Sequence, residues 1–385
     1  MSSRFRALGI GLLRLMAFPA VLFSLLILRL FMRRRVIRIV MMEPRFFGHQ
    51  CLEPEVFWNE WQSSIEQGSS DLWLCCLGKR SKALNQLLWD LRQQALPVIP
   101  SWVATTIAFW HRRIPMSQVR VEHADYHRLN FLTTRPSTLP RPSVFDSRRR
   151  EILSYMTQPE RPYVILTVRE VAQGKDLRNR DIEEFEASIL LLIETGHNVI
   201  RLTSHTNNPL QLKSPHLLDW QVTKFGKQGD ELALVSGASF VVSTTTGIDC
   251  LALAFRRPVL YVDVARLFYV FLGTELTTFQ MPQVTDWESG EPINFEQMLE
   301  RGLGFSKNTQ SFVDARVRIV NSSPEQLASV IREYISTVSS EYPPDDDALQ
   351  GRWRELVLHH LRDEVTARHG AIRARMHPAT MRSHL

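Results

Sequence analysis

The sequence predicts an α/β protein made of two Rossmann-like domains behind an apolar, membrane-associating amino-terminal helix. Three observations carry that prediction. Strand-length apolar runs alternate with helical stretches in both halves of the chain, the pattern of parallel sheets with crossover helices. A stretch rich in Pro, Ser and Thr, Leu132 to Asp146 (LTTRPSTLPRPSVFD), separates the halves and reads as a linker. Residues 1–35 are apolar but punctuated by arginines.

With 385 residues, 44% of them apolar and 22% charged, the chain has room for two globular domains with sizeable cores. The net charge of +6 gathers at the ends, on Arg4, Arg6, Arg14, Arg29 and Arg33 to Arg35, and on Arg368, Arg373, Arg375 and Arg382. Such clusters suit an anionic surface. No RNP-like aromatic motif, zinc-finger spacing or helix-turn-helix signature is present, so the expected partner is a membrane surface and not nucleic acid. The cysteines are Cys51, Cys75, Cys76 and Cys250, with no CxxC pair and no His spacing for zinc. Reduced, buried thiols in a cytoplasmic protein follow, with Cys75 and Cys76 facing opposite ways in one strand.

In the first 35 residues the uncharged run, Leu15 to Leu28, is about 14 long, short of the roughly 20 needed to span a bilayer. Arg14 and Arg29 lengthen it if they snorkel, and Pro19 kinks it. Arg33-Arg34-Arg35 stands where a cleaved signal would need small residues, and it holds the following chain on the cytoplasmic side. The expectation is an anchoring or interfacial helix at the cytoplasmic face of the inner membrane; the alternative is a helix packed on the protein itself.

Residues 36–146 form the expected first domain. Val36 to Met41 reads as a strand, followed by a loop through His49 and a helix from about Pro54. Leu72 to Leu77 is a second strand, then the basic turn Lys79-Arg80-Ser81-Lys82, a helix to about Gln94, and a third strand from Pro97 to Trp102.

Residues 147–340 form the second. Tyr163 to Val168 is a buried strand ended by Arg169-Glu170; a loop carries Asp176 and Arg178; a helix from Asp181 ends at Gly196; Asn198 to Leu202 is the next strand, with Arg201 near its end. Asp230 to Ser236 is a short helix whose Asp230 reads as an N-cap, Phe240 to Ser243 a strand, Ser243-Thr244-Thr245-Thr246-Gly247 a turn, Ile248 to Phe255 a helix and Pro258 to Val262 a strand. The turn falls between a strand end and a helix start, where backbone N–H groups and the helix dipole favour an anion. Its threonines equally suit simple helix capping. Leu267 to Leu272 reads as core and Thr274 to Glu291 as loop. Residues 341–385 hold a final helix and a basic tail expected to lie on the membrane.

The motifs carry a resemblance. Glu231-Leu232, Ala238, Val242, Thr246-Gly247 and Arg257-Pro258-Val259 resemble the nucleotide-binding half of GT-B glycosyltransferases, with heptosyltransferase spacing. Thr245 stands where that pattern has Asp, and Cys250 where it has His. Gly48, His49, Leu52, Glu53, Pro54 and Glu55 resemble a signature of bacterial glycosyltransferases of surface polysaccharide synthesis. Arg169-Glu170, Arg178-Asn179 and Val199-Ile200-Arg201 are similar to the same family's second half, with Thr167 replacing its usual His and Glu170 its usual Asp.

The resemblance implies two domains facing a cleft and sugar transfer from a nucleotide-sugar to a glycan or lipid-linked acceptor. It implies no cofactor beyond that co-substrate, and a reaction run without a metal. His49 or Glu53 would act as general base. Arg169 would hold the donor diphosphate and stabilise its charge as the sugar leaves, with Arg178, Arg201 and the Ser243, Thr244, Thr245, Thr246 and Gly247 turn around it. Glu55 reads as a helix-start acid, and Arg178 equally as a bridge to Glu170 or Asp176. Two alternatives remain: a nucleotide-sugar 2-epimerase, although Thr245 and Leu251 stand where its acid would be expected, and an inactive membrane-bound assembly partner.

Overall fold

The computed structural model describes residues 35–113, 119–124, 128–170, 176–203, 209–221, 226–306, 308–339 and 348–385, with Pro19 and Phe23. Apart from those two and Arg35, the helix expected over residues 1–35 lies outside the described residues. Among the described residues, no helix is long and apolar enough to cross a membrane. The chain divides into two compact units, Met1–Tyr126 and His127–Leu385.

In the first unit, β1 (Ile37–Met41), β2 (Leu72–Cys76) and β3 (Val119–His123) form a parallel sheet in the order β2-β1-β3. Ile37 and Ile39 of β1 pack with Cys76, Ile107 and Val119 on one face, while Val40 packs with Phe57, Trp73 and Cys75 on the other. This period-two division is that of a sheet covered on both sides. It sends Cys75 and Cys76 opposite ways, as expected, and all four cysteines are free and buried.

The first helix, α1 (Phe47–Glu66), starts seven residues ahead of the expected Pro54 and runs through it. Pro54 suggested a first-turn position. Burial of the continuous run Gln50 to Phe57 instead holds the helix across the ring. Asn85 caps α2 (Gln86–Ala95), accepting from Leu88 N at 2.8 Å. The strand expected at Pro97 to Trp102 shrinks to one bridge, Cys75 to Val98, because Pro100 fixes the start of α3 (Ser101–His111). The third strand is β3, whose Glu122 meets Arg38 at 3.2 Å.

The second unit contains α4 (Asp146–Leu153), β4 (Tyr163–Thr167), α5 (Glu186–Glu194), β5 (Asn198–Thr203), β6 (Leu217–Gln221), α6 (Asp230–Gly237), β7 (Phe240–Ser243), α7 (Gly247–Ala254), β8 (Val259–Tyr261) and β9 (Thr277–Phe279). There follow an antiparallel pair, β10 (Gln283–Asp286) and β11 (Val317–Val320), with α8 (Phe295–Glu300) and α9 (Gln310–Asp314) between them. Last come α10 (Pro324–Ser339), α11 (Ala348–His369), β12 (Arg375–Met376) and α12 (Pro378–His384).

Seven strands form one parallel sheet in the order β12-β9-β8-β7-β4-β5-β6. Counted from β4, the first six run third, second, first, fourth, fifth, sixth, which is the Rossmann order with its reversal between β4 and β7. The core packs Val164, Leu166, Val199, Val242 and Leu260 against Ile189 and Leu192 of α5 and Leu327, Val330 and Ile331 of α10.

Two stretches differ from expectation. The Pro-rich segment 132–146 packs as part of this unit: Leu132, Leu139 and Phe145 are buried, and Arg256 donates to the carbonyls of Arg135 and Pro136 at 3.1 and 3.0 Å. The tail is tied to the sheet through its apolar residues, since β12 pairs with β9 and Ala374, Met376 and Met381 are buried, while the Arg373 and Arg382 side chains stay 41% and 62% exposed. Its apolar residues, interleaved with the arginines, are what the sheet edge takes up. Leu267, Val270, Phe271 and Leu272 are core, as read.

Candidate functional site

Ligands of open parallel sheets sit at the carboxyl ends of the strands where the order reverses. Here those ends are Thr167 and Ser243, paired in register. Thr244 N donates to Thr167 O at 3.2 Å, Arg169 N donates to Thr244 Oγ1 at 2.7 Å, and the Thr167 and Thr246 hydroxyls lie 3.0 Å apart. The turn therefore fixes the backbone from which Arg169 projects.

The turn also satisfies itself. Thr246 caps α7 and Asp249 completes a capping box, accepting from Thr246 N at 2.9 Å. Ser243 Oγ donates to Asp249 Oδ2 at 3.1 Å and accepts from Thr245 N at 3.0 Å. Thr245 holds a left-handed φ of 65°. Burial pushes the Asp249 carboxyl up to about 7, against the hydrogen bonds from Cys250, Ser243 and Thr246 that favour its charge. The capping reading of the threonines is thus realised. Ser243, Thr244 and Thr245 are buried, leaving Thr246 and Gly247 partly exposed.

Beside the turn three arginines share one acid. Arg178 meets Asp176 through Nε at 3.0 Å and Nη2 at 2.6 Å, Arg266 Nη2 reaches Asp176 Oδ1 at 2.6 Å, and Arg169 Nε stands 3.9 Å from Oδ2. Tyr269 lies under two of them, its ring centre 4.1 Å from the Arg178 guanidinium and 4.8 Å from that of Arg266. Burial opposes ionisation of Asp176, yet the hydrogen bonds and charge of Arg178 and the charge of Arg266 hold its carboxyl down at about 2. The Arg169 guanidinium is shifted down by burial and by Arg178. Three cations thus gather at one anion among the described residues, and the Arg169 side chain is 43% exposed.

Arg266 follows β8 in the run Val262 to Leu272 and belongs to no motif. A lone arginine in an apolar run just beyond a strand end was the only signal for it. Arg201 does not reach a ligand position. Its side chain is 1% exposed, held by Glu170 and, at 3.2 Å, by Asp219. It is a buried anchor for the residue after Arg169. Asp230 is not the N-cap it was read as: Gly229 holds that position with a φ of 102°, and Asp230, the first residue of α6, instead receives Arg148 at 2.6 and 2.8 Å and Lys227 N at 2.8 Å. Arg257 of the Arg-Pro-Val segment donates to Ser236 O at 2.9 Å, tying α6 to the start of β8.

In the first unit His49 and Glu53 lie one turn apart on α1, with His49 Nδ1 2.7 Å from Glu53 Oε1. Glu53 Oε2 accepts from Glu43 N at 2.7 Å. Glu53 is 5% exposed and His49 28% exposed, so the acid orients a ring that solvent can reach. Burial raises the Glu53 carboxyl, while His49 and the Glu43 N–H lower it. The ring borders a small pocket with Met42, Pro44, Leu77, Leu88 and Trp89. Glu55 points away and pairs with Arg92 at 2.6 Å, their side chains 1% and 2% exposed, so it is structural.

Among the described residues, no group of three or more His, Cys, Asp or Glu is placed to hold a metal ion.

No protein-family model matches the chain, and no curated protein does. Among solved structures, the iron-containing dodecameric glycosyltransferase TibC of enterotoxigenic E. coli shows 14% identity over 60% of this chain and 60% of its own, with a TM-score of 0.30. The E. coli ADP-heptose lipopolysaccharide heptosyltransferase II shows 13% identity over 59% of this chain and 84% of its own, with a TM-score of 0.36. A protein assigned as a UDP-N-acetylglucosamine 2-epimerase from Listeria monocytogenes shows 10% identity over 81% of this chain and 99% of its own, with a TM-score of 0.32. The heptosyltransferases are the group whose motifs the sequence resembles. With each of these scores below 0.5, the functional reading rests on the chain's own residues.

Proposed function

We propose that the protein is a glycosyltransferase whose second unit binds the diphosphate of a nucleotide-sugar at Arg169, Arg178 and Arg266. The observation that carries this reading is the convergence of those three guanidiniums at the strand ends where a Rossmann-ordered sheet reverses. Planar, permanently charged forks match phosphate oxygens bidentately, and they take up the negative charge that grows on a leaving diphosphate. Thr246 and Gly247 offer a hydroxyl and a close backbone approach beside them. Asp249, Arg201 and Glu170 act from behind by holding the turn and the strand end.

The first unit supplies the acceptor chemistry in this reading. His49 takes the proton of the acceptor hydroxyl, with Glu53 fixing the ring and stabilising the imidazolium. The oxygen attacks the anomeric carbon, and the nucleoside diphosphate departs with the bonding electrons. The acceptor is a glycan or lipid-linked sugar of surface polysaccharide assembly. The reaction proceeds at the inner membrane's cytoplasmic face and without a metal.

The test is titration calorimetry of UDP, GDP, ADP and CMP into the full chain, with Arg169→Ala alongside. The expected result is saturable binding of one nucleoside diphosphate, weakened about tenfold or more in the variant, as loss of a charge-assisted hydrogen bond implies. Turnover of the matching nucleotide-sugar only when acceptor is added identifies a transferase, and change of the donor alone an epimerase. If the folded chain binds none of the four, the transferase reading falls and the assembly-partner alternative replaces it.

A further inference from the structure

We propose that Asp176 is an internal ligand of the arginine site: its carboxylate occupies the position that a diphosphate must take, and it sets which anions can enter. The inference rests on the reading of that site as a diphosphate site. Arg178 presents Nε and Nη2 to Asp176, and Arg266 presents Nη2. These fork-like N–H edges are the ones phosphate oxygens would use. They are spent on a carboxylate that is part of the same chain and only two residues before Arg178. Arg169 stands off at 3.9 Å, the one member of the three without a hydrogen bond to that carboxylate.

A tethered carboxylate competes at high effective concentration. A single small anion offers the arginines one charged group, as Asp176 already does from within the chain, so it gains little by exchange. A diphosphate brings two charged groups and engages Arg169 together with Arg178 and Arg266. It therefore exchanges with the carboxylate where acetate or orthophosphate does not. Asp176 is thus a specificity-determining residue, and the favoured ligand class is the diphosphate as against the single small anion.

Asp176→Asn separates this role from a scaffolding one. The amide keeps an Oδ1 that can accept from Arg178 N, a bond now 3.1 Å long, and so preserves the local turn while removing the charge. The experiment titrates inorganic pyrophosphate, orthophosphate and acetate into the full-length wild type and variant at fixed ionic strength, with urea midpoints as the check on folding. The expected result is pyrophosphate binding on the order of tenfold tighter in the variant, with measurable orthophosphate binding that the wild type lacks. A carboxylate that merely held the arginines together would leave them splayed when neutralised. Equal or weaker pyrophosphate binding by a folded variant therefore overturns the proposal while the wild type's own binding leaves the diphosphate reading standing. Absence of pyrophosphate binding in both proteins overturns the two together.

Discussion

Asp249 is buried at the start of α7, and its replacement by Asn should change how stability depends on pH. Its carboxyl moves from 3.8 to about 7 on folding, with burial as the first cause. An acid with a raised folded value holds its proton more tightly in the native state. Its stabilising contribution is therefore complete below pH 3.8 and is lost as pH rises to about 7. At about 1.4 kcal/mol per unit, the change across that window is about 4 kcal/mol. Asn cannot ionise and carries no such slope. It turns an amide N–H towards one of the donors that now point at the carboxylate, which costs roughly 1–3 kcal/mol at every pH. The clean quantity is thus the difference between the two proteins, in which the other titrating groups cancel. Urea unfolding of both from pH 4 to pH 8 should show that difference moving by about 4 kcal/mol in favour of Asn at the alkaline end. Parallel stability curves across the whole range would refute the reasoning and show that the three donors keep Asp249 ionised at no cost.

Two further predictions concern the first unit. His49→Ala should lower turnover by roughly 10²–10⁴-fold while leaving nucleotide binding unchanged, measured by initial rates and calorimetry on the same preparation. Arg92→Ala strips the partner from Glu55 in a pair whose side chains are 2% and 1% exposed, and should cost about 3–5 kcal/mol in urea unfolding. A cost within about 0.5 kcal/mol, the range of ordinary surface changes, would show that Glu55 is held by its other contacts.

The legible strands are dense apolar runs, Leu72–Cys76 among them although it stands at the edge of its three-stranded sheet; the others are Ile37–Met41, Tyr163–Thr167, Asn198–Thr203, Phe240–Ser243 and Val259–Tyr261. The missed strands all stand at or near an edge. β3 reads Val-Arg-Val-Glu-His, β6 Leu-Leu-Asp-Trp-Gln, β9 Thr-Thr-Phe and β12 Arg-Met, and β10 Gln-Val-Thr-Asp, in the stretch read as loop, pairs only with β11 Val-Arg-Ile-Val. Edge strands carry polar residues and few apolar ones, so their pairing is decided by the neighbour already in place and not by local preference. The site divides similarly. Arg169, Arg178, Asp176 and the hydroxyl turn lie near strand ends, where sequence position implies role. Arg266 joins them from a separate connection, and its convergence with them exists only in three dimensions. Arg201 shows the converse: a cation in the right strand whose burial assigns it to support.

The pairing of β12 with β9 has a consequence for biogenesis. Residues 375–376 seal an edge made by residues 278–279, so the sheet cannot close until nearly a hundred further residues have left the ribosome. During that interval the Thr277–Phe279 backbone is an uncovered strand edge, the kind that chaperones shield and that neighbouring nascent chains on a polysome would otherwise add to. The order in which the chain is made thus lets residues 375–376 act as a latch on an edge made long before them.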